Sequence, residues 1–225
     1  DRACGGPQRV VRVYSATDGS LKYEIRKHTD WIYALEFSPD GVLLATADRG
    51  GGLFVWESET AREYQNLRGH TAAVNDVSWR LDSSLLASGS EDGNLILWEM
   101  ENGTQVKAWA AHGGGCSTVD FARDGRLVSG GRDRQIKLWN ADGQLARAFD
   151  AMPEIIGTLT SESITNSPPA CSQIRSRSSS ARSGYPSEIR SRNRSSWLSG
   201  SGYVPSNSNG FCVAMTMNGC GRACV

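Results

Sequence analysis

The three histidines of the chain, His28, His70 and His112, stand 42 residues apart. Asp40, Asp82 and Asp124 repeat the interval, as do Phe37, Trp79 and Phe121. The aromatic series Tyr14, Trp56, Trp98 and Trp139 follows with gaps of 42, 42 and 41. Four residue classes held in one register mean tandem copies of one structural unit. Such a unit cannot bury its apolar faces alone and must stack on its neighbours.

Within one period the signals are those of β-structure. Ile32, Leu35 and Phe37, then Val74, Val77 and Trp79, then Cys116, Val119 and Phe121 step by three and then by two. A step of two keeps side chains on one face of a strand, and the extra residue of the step of three is what a β-bulge inserts. Each of these strands runs into an Asp-bearing turn: Ser38-Pro39-Asp40-Gly41, Leu81-Asp82-Ser83-Ser84 and Arg123-Asp124-Gly125. Second strands follow at 43–47, 85–88 and 127–129. Third strands end on the aromatic at Trp56, Trp98 and Trp139, and more polar fourth strands lie near 62–67, 104–109 and 144–149. Four short antiparallel strands per period make one blade of a β-propeller.

Gly69-His70 followed by Ser88-Gly89-Ser90-Glu91-Asp92-Gly93-Asn94-Leu95-Ile96-Leu97-Trp98 resembles a WD repeat, and Ser129 to Trp139 is another close match. The resemblance covers about residues 9–150. It comprises blades at approximately 31–67, 73–109 and 115–149, preceded by half a blade at 9–27 whose strands are 9–14 and 21–26. It implies a scaffold that meets protein partners. It also implies that a Trp, a Ser or Thr, a His and an Asp form a buried hydrogen-bonded relay in each blade. One set is then His70, Ser88, Asp92 and Trp98, and the next is His112, Ser129, Asp133 and Trp139. The first full blade offers His28, Thr46 and Trp56, but Gly50 stands where the Asp is expected, which predicts a weaker, partly water-filled network. Tyr14 replaces Trp in the leading half-blade.

Physical chemistry supports that choice of groups. An indole N–H only donates, a hydroxyl accepts it and donates onward to one imidazole nitrogen, and the other nitrogen donates to a carboxylate. A Ser, a His and an Asp also invite a catalytic-triad reading. Their recurrence beside a Trp in successive repeats opposes it, because a nucleophile is expected once and exposed. Each His falls in a different repeat, so no metal site and no cofactor is expected. Cys116 shares the core position of Ile32 and Val74 and is expected to be a buried, inert thiol.

If the repeats form a propeller, the His-bearing turns and those between second and third strands share one rim, with Asp30, Trp31, Tyr33, Arg49, Glu91 and Arg132 on it. Ala73 and Gly115 stand at positions equivalent to Trp31, so the fold does not require a large aromatic there. Trp, Tyr and Arg are typical binding residues. Alternatively, Trp31 covers a neighbouring blade, and Arg49, Glu91 and Arg132 are ordinary solvated turn charges.

The zero net charge hides a split. Residues 1–154 hold 17 Lys and Arg against 22 Asp and Glu, a balance of −5, and residues 155–225 hold 7 Arg and 2 Glu, a balance of +5. Residues 154–160 read as the start of another first strand, after which the period stops. From about Ser161 the chain is Ser/Arg/Asn/Gly-rich, and 161–210 is expected to be disordered, since it lacks the apolar surface to offset ordering. Three readings of this tail stand open: an RNA-binding or phosphorylated Ser/Arg segment, a flexible linker, or a shifted reading frame. Cys171, Cys212, Cys220 and Cys224 offer CxxxC spacing and no CxxC pair, so zinc is not expected there either.

No run approaches the roughly 18 apolar residues of a spanning helix. No signal peptide is visible and the first residue is Asp1, which reads as a fragment or mature product, cytoplasmic by default. A seven-bladed ring, common in the family resembled, needs roughly 290 residues at this period. The sequence therefore reads as an all-β, incomplete β-propeller: an open arc of four-stranded antiparallel blades in 1–154 and a low-complexity tail in 155–225. The remaining blades would come from further sequence or another chain. The expected function is a non-catalytic scaffold for another protein or peptide. Alternatives are a propeller hydrolase or lactonase, or RNA binding through the tail.

Overall fold

The computed structural model describes residues 1–149, 156, 157, 159 and 213–216. Every element among them is a β-strand, and the strands form four four-stranded antiparallel sheets. Blade II contains β4 (Ile32–Phe37), β5 (Leu43–Asp48), β6 (Leu53–Glu57) and β7 (Glu63–Leu67). Blade III contains β8 (Val74–Trp79), β9 (Leu85–Ser90), β10 (Asn94–Glu99) and β11 (Thr104–Ala110). Blade IV contains β12 (Cys116–Phe121), β13 (Leu127–Gly131), β14 (Ile136–Trp139) and β15 (Leu145–Ala148). In each the strands pair in chain order. First strands of neighbouring sheets meet, β4 with β8 and β8 with β12, so they lie innermost. Among the described residues the four sheets do not close into a ring.

The step of three in the sequence is a bulge in the structure. Register shifts fall between Ile32 and Ala34, Val74 and Asp76, and Cys116 and Thr118, leaving Tyr33, Asn75 and Ser117 as the extra residues. The bulge lets both members of each step, such as Ile32 and Leu35, face the same core. A second bulge recurs beside the aromatic of each third strand, where the register shifts at Val13/Tyr14, Val55/Trp56, Leu97/Trp98 and Leu138/Trp139 and the fourth strand carries the extra residue, Lys22, Tyr64, Val106 and Ala146. The apolar alternation does not announce it.

The core is divided between blade interfaces. Leu35, Leu44 and Trp56 pack with Val11 and Val13 of the preceding blade. Val74, Val77 and Trp98 pack with Ala45, Val55 and Leu67, and Val119 and Trp139 pack with Ala87 and Leu97. Glycine permits the close approach. A Cβ at Gly5 would lie 2.8 Å from Ile32 Cγ2 and 3.0 Å from Leu35 Cδ2, and one at Gly89 would lie 2.8 Å from Cys116 Sγ.

Polar contacts tie the inner strands as well. Asp76 Oδ2 accepts the Thr118 hydroxyl at 2.8 Å and the Val119 N–H at 3.0 Å. Thr118 Oγ1 in turn accepts the Leu159 N–H at 3.2 Å. Ser78 donates to Asp120 and accepts the Phe121 N–H.

Two boundaries differ from the sequence reading. The leading half-blade 9–27 is larger than expected: β2 (Val11–Tyr14) and β3 (Leu21–Ile25) are preceded by β1 (Arg2–Gly5), and β16 (Val213–Thr216) pairs antiparallel on the other side of β1. β1 is short, begins on Arg and ends before Gly6-Pro7, so it lacks the β-branched run that signals a strand. Residues 155–225 are likewise not uniformly without structure, given β16 and the packing of Ile156 and Leu159 against Val128 and Ile136. A Cβ at Gly130 would meet Ile156 Cγ2 at 2.6 Å and Leu159 Cδ1 at 3.0 Å. This repeats the contact of Gly5 with Ile32 and Leu35. Ile156 and Leu159 therefore take the place of a first strand's core pair on the far flank of blade IV, as the sequence register anticipates. The expectation for 161–210 and the four tail cysteines lies outside the described residues.

The close approaches make a stability prediction. Gly89→Val should destabilise the protein by about 2 kcal/mol or more through overpacking against Cys116. Gly113→Ala, where a Cβ meets nothing within 4 Å, should stay within about 0.5 kcal/mol. Urea unfolding of both variants checks the contrast.

Candidate functional site

Three buried relays run through the blades. In blade III, Trp98 Nε1 donates to Ser88 Oγ at 2.8 Å, Ser88 Oγ lies 2.7 Å from His70 Nε2, and His70 Nδ1 lies 3.0 Å from Asp92 Oδ2. In blade IV the same links join Trp139, Ser129, His112 and Asp133 at 2.8, 2.7 and 2.8 Å. The hydroxyl comes from the middle of the second strand, the indole from the third, the imidazole from the loop before the first, and the carboxylate from the turn between second and third.

In blade II, Trp56 Nε1 donates to Thr46 Oγ1 at 2.8 Å, and Thr46 Oγ1 lies 2.8 Å from His28 Nε2. The expectation of a weak network at Gly50 is corrected. His28 Nδ1 lies 2.7 Å from Asp48 Oδ2, so a carboxylate two residues earlier completes the relay. Asp48 also accepts the Gly50 and Gly52 N–H groups at 2.9 and 2.8 Å. A Cβ at Gly52 would sit 2.7 Å from Asp48 Oδ2, so the run Gly50-Gly51-Gly52 is what clears room for that carboxylate. The signal was present as an Asp ending an otherwise apolar second strand, Leu43–Asp48.

Protonation follows from the donors. The hydroxyl oxygen takes the indole hydrogen and its own hydrogen goes to Nε2, so Nδ1 carries the imidazole hydrogen and donates it to the carboxylate. Burial holds His70 and His112 below the ordinary histidine range despite their carboxylate partners. Burial works to raise Asp92, but the Thr71 and Asn94 N–H groups and His70 outweigh it, and its pKa falls. Asp133 and Asp48 are lowered the same way, each against the effect of burial, chiefly by the imidazole that donates to it. The relays of blades III and IV thus each set a neutral imidazole against an ionised carboxylate. Thr46, Ser88 and Ser129 are completely buried, with no face for a substrate. Cys116 is also fully buried, and burial pushes its thiol well up.

The rim residues separate into pairs. Arg49 donates its N–H to Trp31 O at 2.8 Å, and its guanidinium lies 5.8 Å from the Trp31 ring centroid. Trp31 is 46% exposed, so nearly half of its surface faces outward. Asp30 Oδ1 accepts the Trp31 N–H at 2.8 Å. At equivalent positions Glu91 and Arg132 make the same backbone bonds to Ala73 and Gly115, and their side chains form an ion pair between blades III and IV. Tyr33, the bulged residue of β4, is half-buried and lies outside both pairs.

A pH dependence follows from the relays. Folded His70 and His112 bind protons less readily than unfolded histidines, whose pKa is about 6.5. Their stabilisation is fully present above that value and is lost as pH falls below it, with the aspartates adding loss below about pH 4. The urea midpoint should therefore drop between about pH 7.5 and 5.5. A midpoint that holds or rises would mean charged imidazoles.

Comparison with known proteins agrees with the geometry. The model of the "WD domain, G-beta repeat" family matches residues 19–57, 61–99 and 103–140, just over half of the chain. A probable cytosolic Fe-S cluster assembly factor of Schizosaccharomyces japonicus is 48% identical over 40 residues, 18% of this chain and 6% of that protein. The angio-associated migratory cell protein of Homo sapiens is 37% identical over 59 residues, 26% of this chain and 14% of its own length. The chain thus spans only a small part of these curated relatives. The solved structure of U3-55K superposes with a TM-score of 0.58 at 23% identity, over 60% of this chain and 44% of that one, a likeness of fold. The three family matches coincide with the three complete relays, and the chain belongs to the WD-domain, G-beta repeat family.

Proposed function

We propose that the chain is a non-catalytic scaffold whose rim, centred on Trp31, docks another protein. WD repeats imply an interaction role, and the family is generally non-catalytic. The observation that carries the reading is Trp31: a large aromatic, nearly half exposed, stacked by Arg49 at a position where the other blades place Ala73 and Gly115. A rigid aromatic of this kind offers large contact area at low entropic cost.

The relays have a structural role in this reading. Their hydroxyls, imidazoles and carboxylates are engaged with one another, which speaks against a hydrolase or lactonase that would use these groups. The RNA-binding alternative rests on the tail, outside the described residues, and the rim carries the stronger argument.

Two outcomes test these roles. Ser88→Ala should cost about 2–3 kcal/mol, because it strands the Trp98 N–H and His70 Nε2 in the core, measurable by urea unfolding. Trp31→Ala should leave unfolding unchanged and weaken capture of interacting proteins by at least about tenfold. Quantitative comparison of proteins retained from a lysate by the two chains checks it, with Leu81→Ala, an exposed residue of the turn between β8 and β9, as control. Identical retention by the Trp31→Ala chain sinks the rim.

A further inference from the structure

We infer that the Trp31 rim selects an acidic protein segment, one that carries a carboxylate beside an aliphatic or aromatic side chain. The inference rests on the docking reading above and names its chemistry.

Two exposed arginines border the loop that carries Trp31. The Arg49 guanidinium lies over the Trp31 ring, and Arg9 reaches the same loop from the turn between β1 and β2, donating from Nη1 to Thr29 O at 3.3 Å. Both arginines are exposed. Among the described residues neither has a carboxylate within ion-pair distance. The nearby carboxylates are already engaged: Asp30 holds the Trp31 N–H, Asp48 holds His28 and two backbone N–H groups, and Glu91 holds Arg132.

These two exposed arginines, which have no ion-pair partner among the described residues, stand against a balance of −5 in residues 1–154. Attraction of an acidic partner is therefore short-ranged. At physiological ionic strength charges beyond about 8 Å are largely screened, so the partner meets the two arginines rather than the net charge. A basic segment would meet them as repulsion.

The geometry suits a mixed apolar and acidic ligand. The Arg49 main chain is fixed by its bond to Trp31 O, and its planar guanidinium is held at the ring. An arginine restrained in this way loses less freedom when it makes a paired contact with a carboxylate. The exposed part of the indole covers an adjoining apolar side chain, while the Arg49 fork takes the acid.

The test uses the full chain and two fluorescein-labelled peptides, one of alternating Glu and Leu and one of alternating Lys and Leu, read by fluorescence anisotropy. The Glu-Leu peptide should bind more tightly and release as salt rises. Arg49→Glu should weaken it by about tenfold and favour the Lys-Leu peptide, while Arg49→Lys, which keeps the charge, should lose less. Both substitutions lie on the exposed rim, and an unchanged melting temperature certifies the fold. Equal or tighter binding of the Lys-Leu peptide overturns the acidic class; if that binding still falls in Trp31→Ala, the docking site survives. Binding of neither peptide also overturns the acidic class, and the lysate comparison then decides the docking site separately. An oligo-uridine that binds more tightly than the Glu-Leu peptide and is lost in Trp31→Ala would assign the rim to RNA instead.

Discussion

One hydroxyl oxygen in each of blades II, III and IV, shared between an indole and an imidazole, is the contact on which the rest of these blades depends. Ser88 in β9 receives Trp98 from β10 and faces His70 from the loop before β8. Three chain segments remote in sequence are joined at that atom. The imidazole then carries the link outward to the turn between second and third strands. In blade II this has a direct consequence for the surface: His28 lies three residues before Trp31, and Asp48 immediately precedes Arg49. The 2.7 Å contact between His28 and Asp48 ties together the two segments that present the exposed aromatic and its guanidinium. A relay that stabilises the blade also positions the rim.

The inner strands extend this order from blade to blade. Asp76 of blade III holds the hydroxyl and backbone of blade IV, and Thr118 of blade IV holds the backbone of Leu159. The same repeat position supplies the acceptor at each step, so each blade orients the next through polar contacts as well as through its apolar core. A shift of one residue in a strand would break both at once, because its core residues would turn to the opposite face. Ile156 and Leu159 keep the register on the far flank of blade IV, where they take up the contacts that Ile32 and Leu35 make with Gly5.

The periodic part of this structure was legible in the sequence because it is repeated chemistry: the three His–hydroxyl–Trp sets, the inner bulge and the blade limits all recur in register. What was not legible was substitution within the pattern. Asp48 replaces the expected carboxylate from another strand position, which works only because Gly50, Gly51 and Gly52 open the turn, and a residue-by-residue comparison looks at the wrong site. β1 escaped notice because Arg2–Gly5 draws its strand character from pairing with β2 and β16 rather than from its own residues. The fourth-strand bulge opposite each terminal aromatic was hidden too, since these outer strands are too polar to show an apolar step.

The relay groups themselves are turned inward: their hydroxyls and imidazoles are buried and all their groups mutually bonded, and Cys116 is made less acidic by burial. A partly satisfied buried network is costly, so the pressure on each relay is toward completion, and Asp48 shows completion reached by a different residue. The surface obeys the opposite rule. Glu91 and Arg132 satisfy one another across two blades, whereas Arg49 rests on an exposed indole with its charge uncompensated by any carboxylate at ion-pair distance among the described residues. The engaged relay groups hold this part of the rim still, and at its surface the Trp31–Arg49 pair leaves an aromatic face and a guanidinium open to solvent.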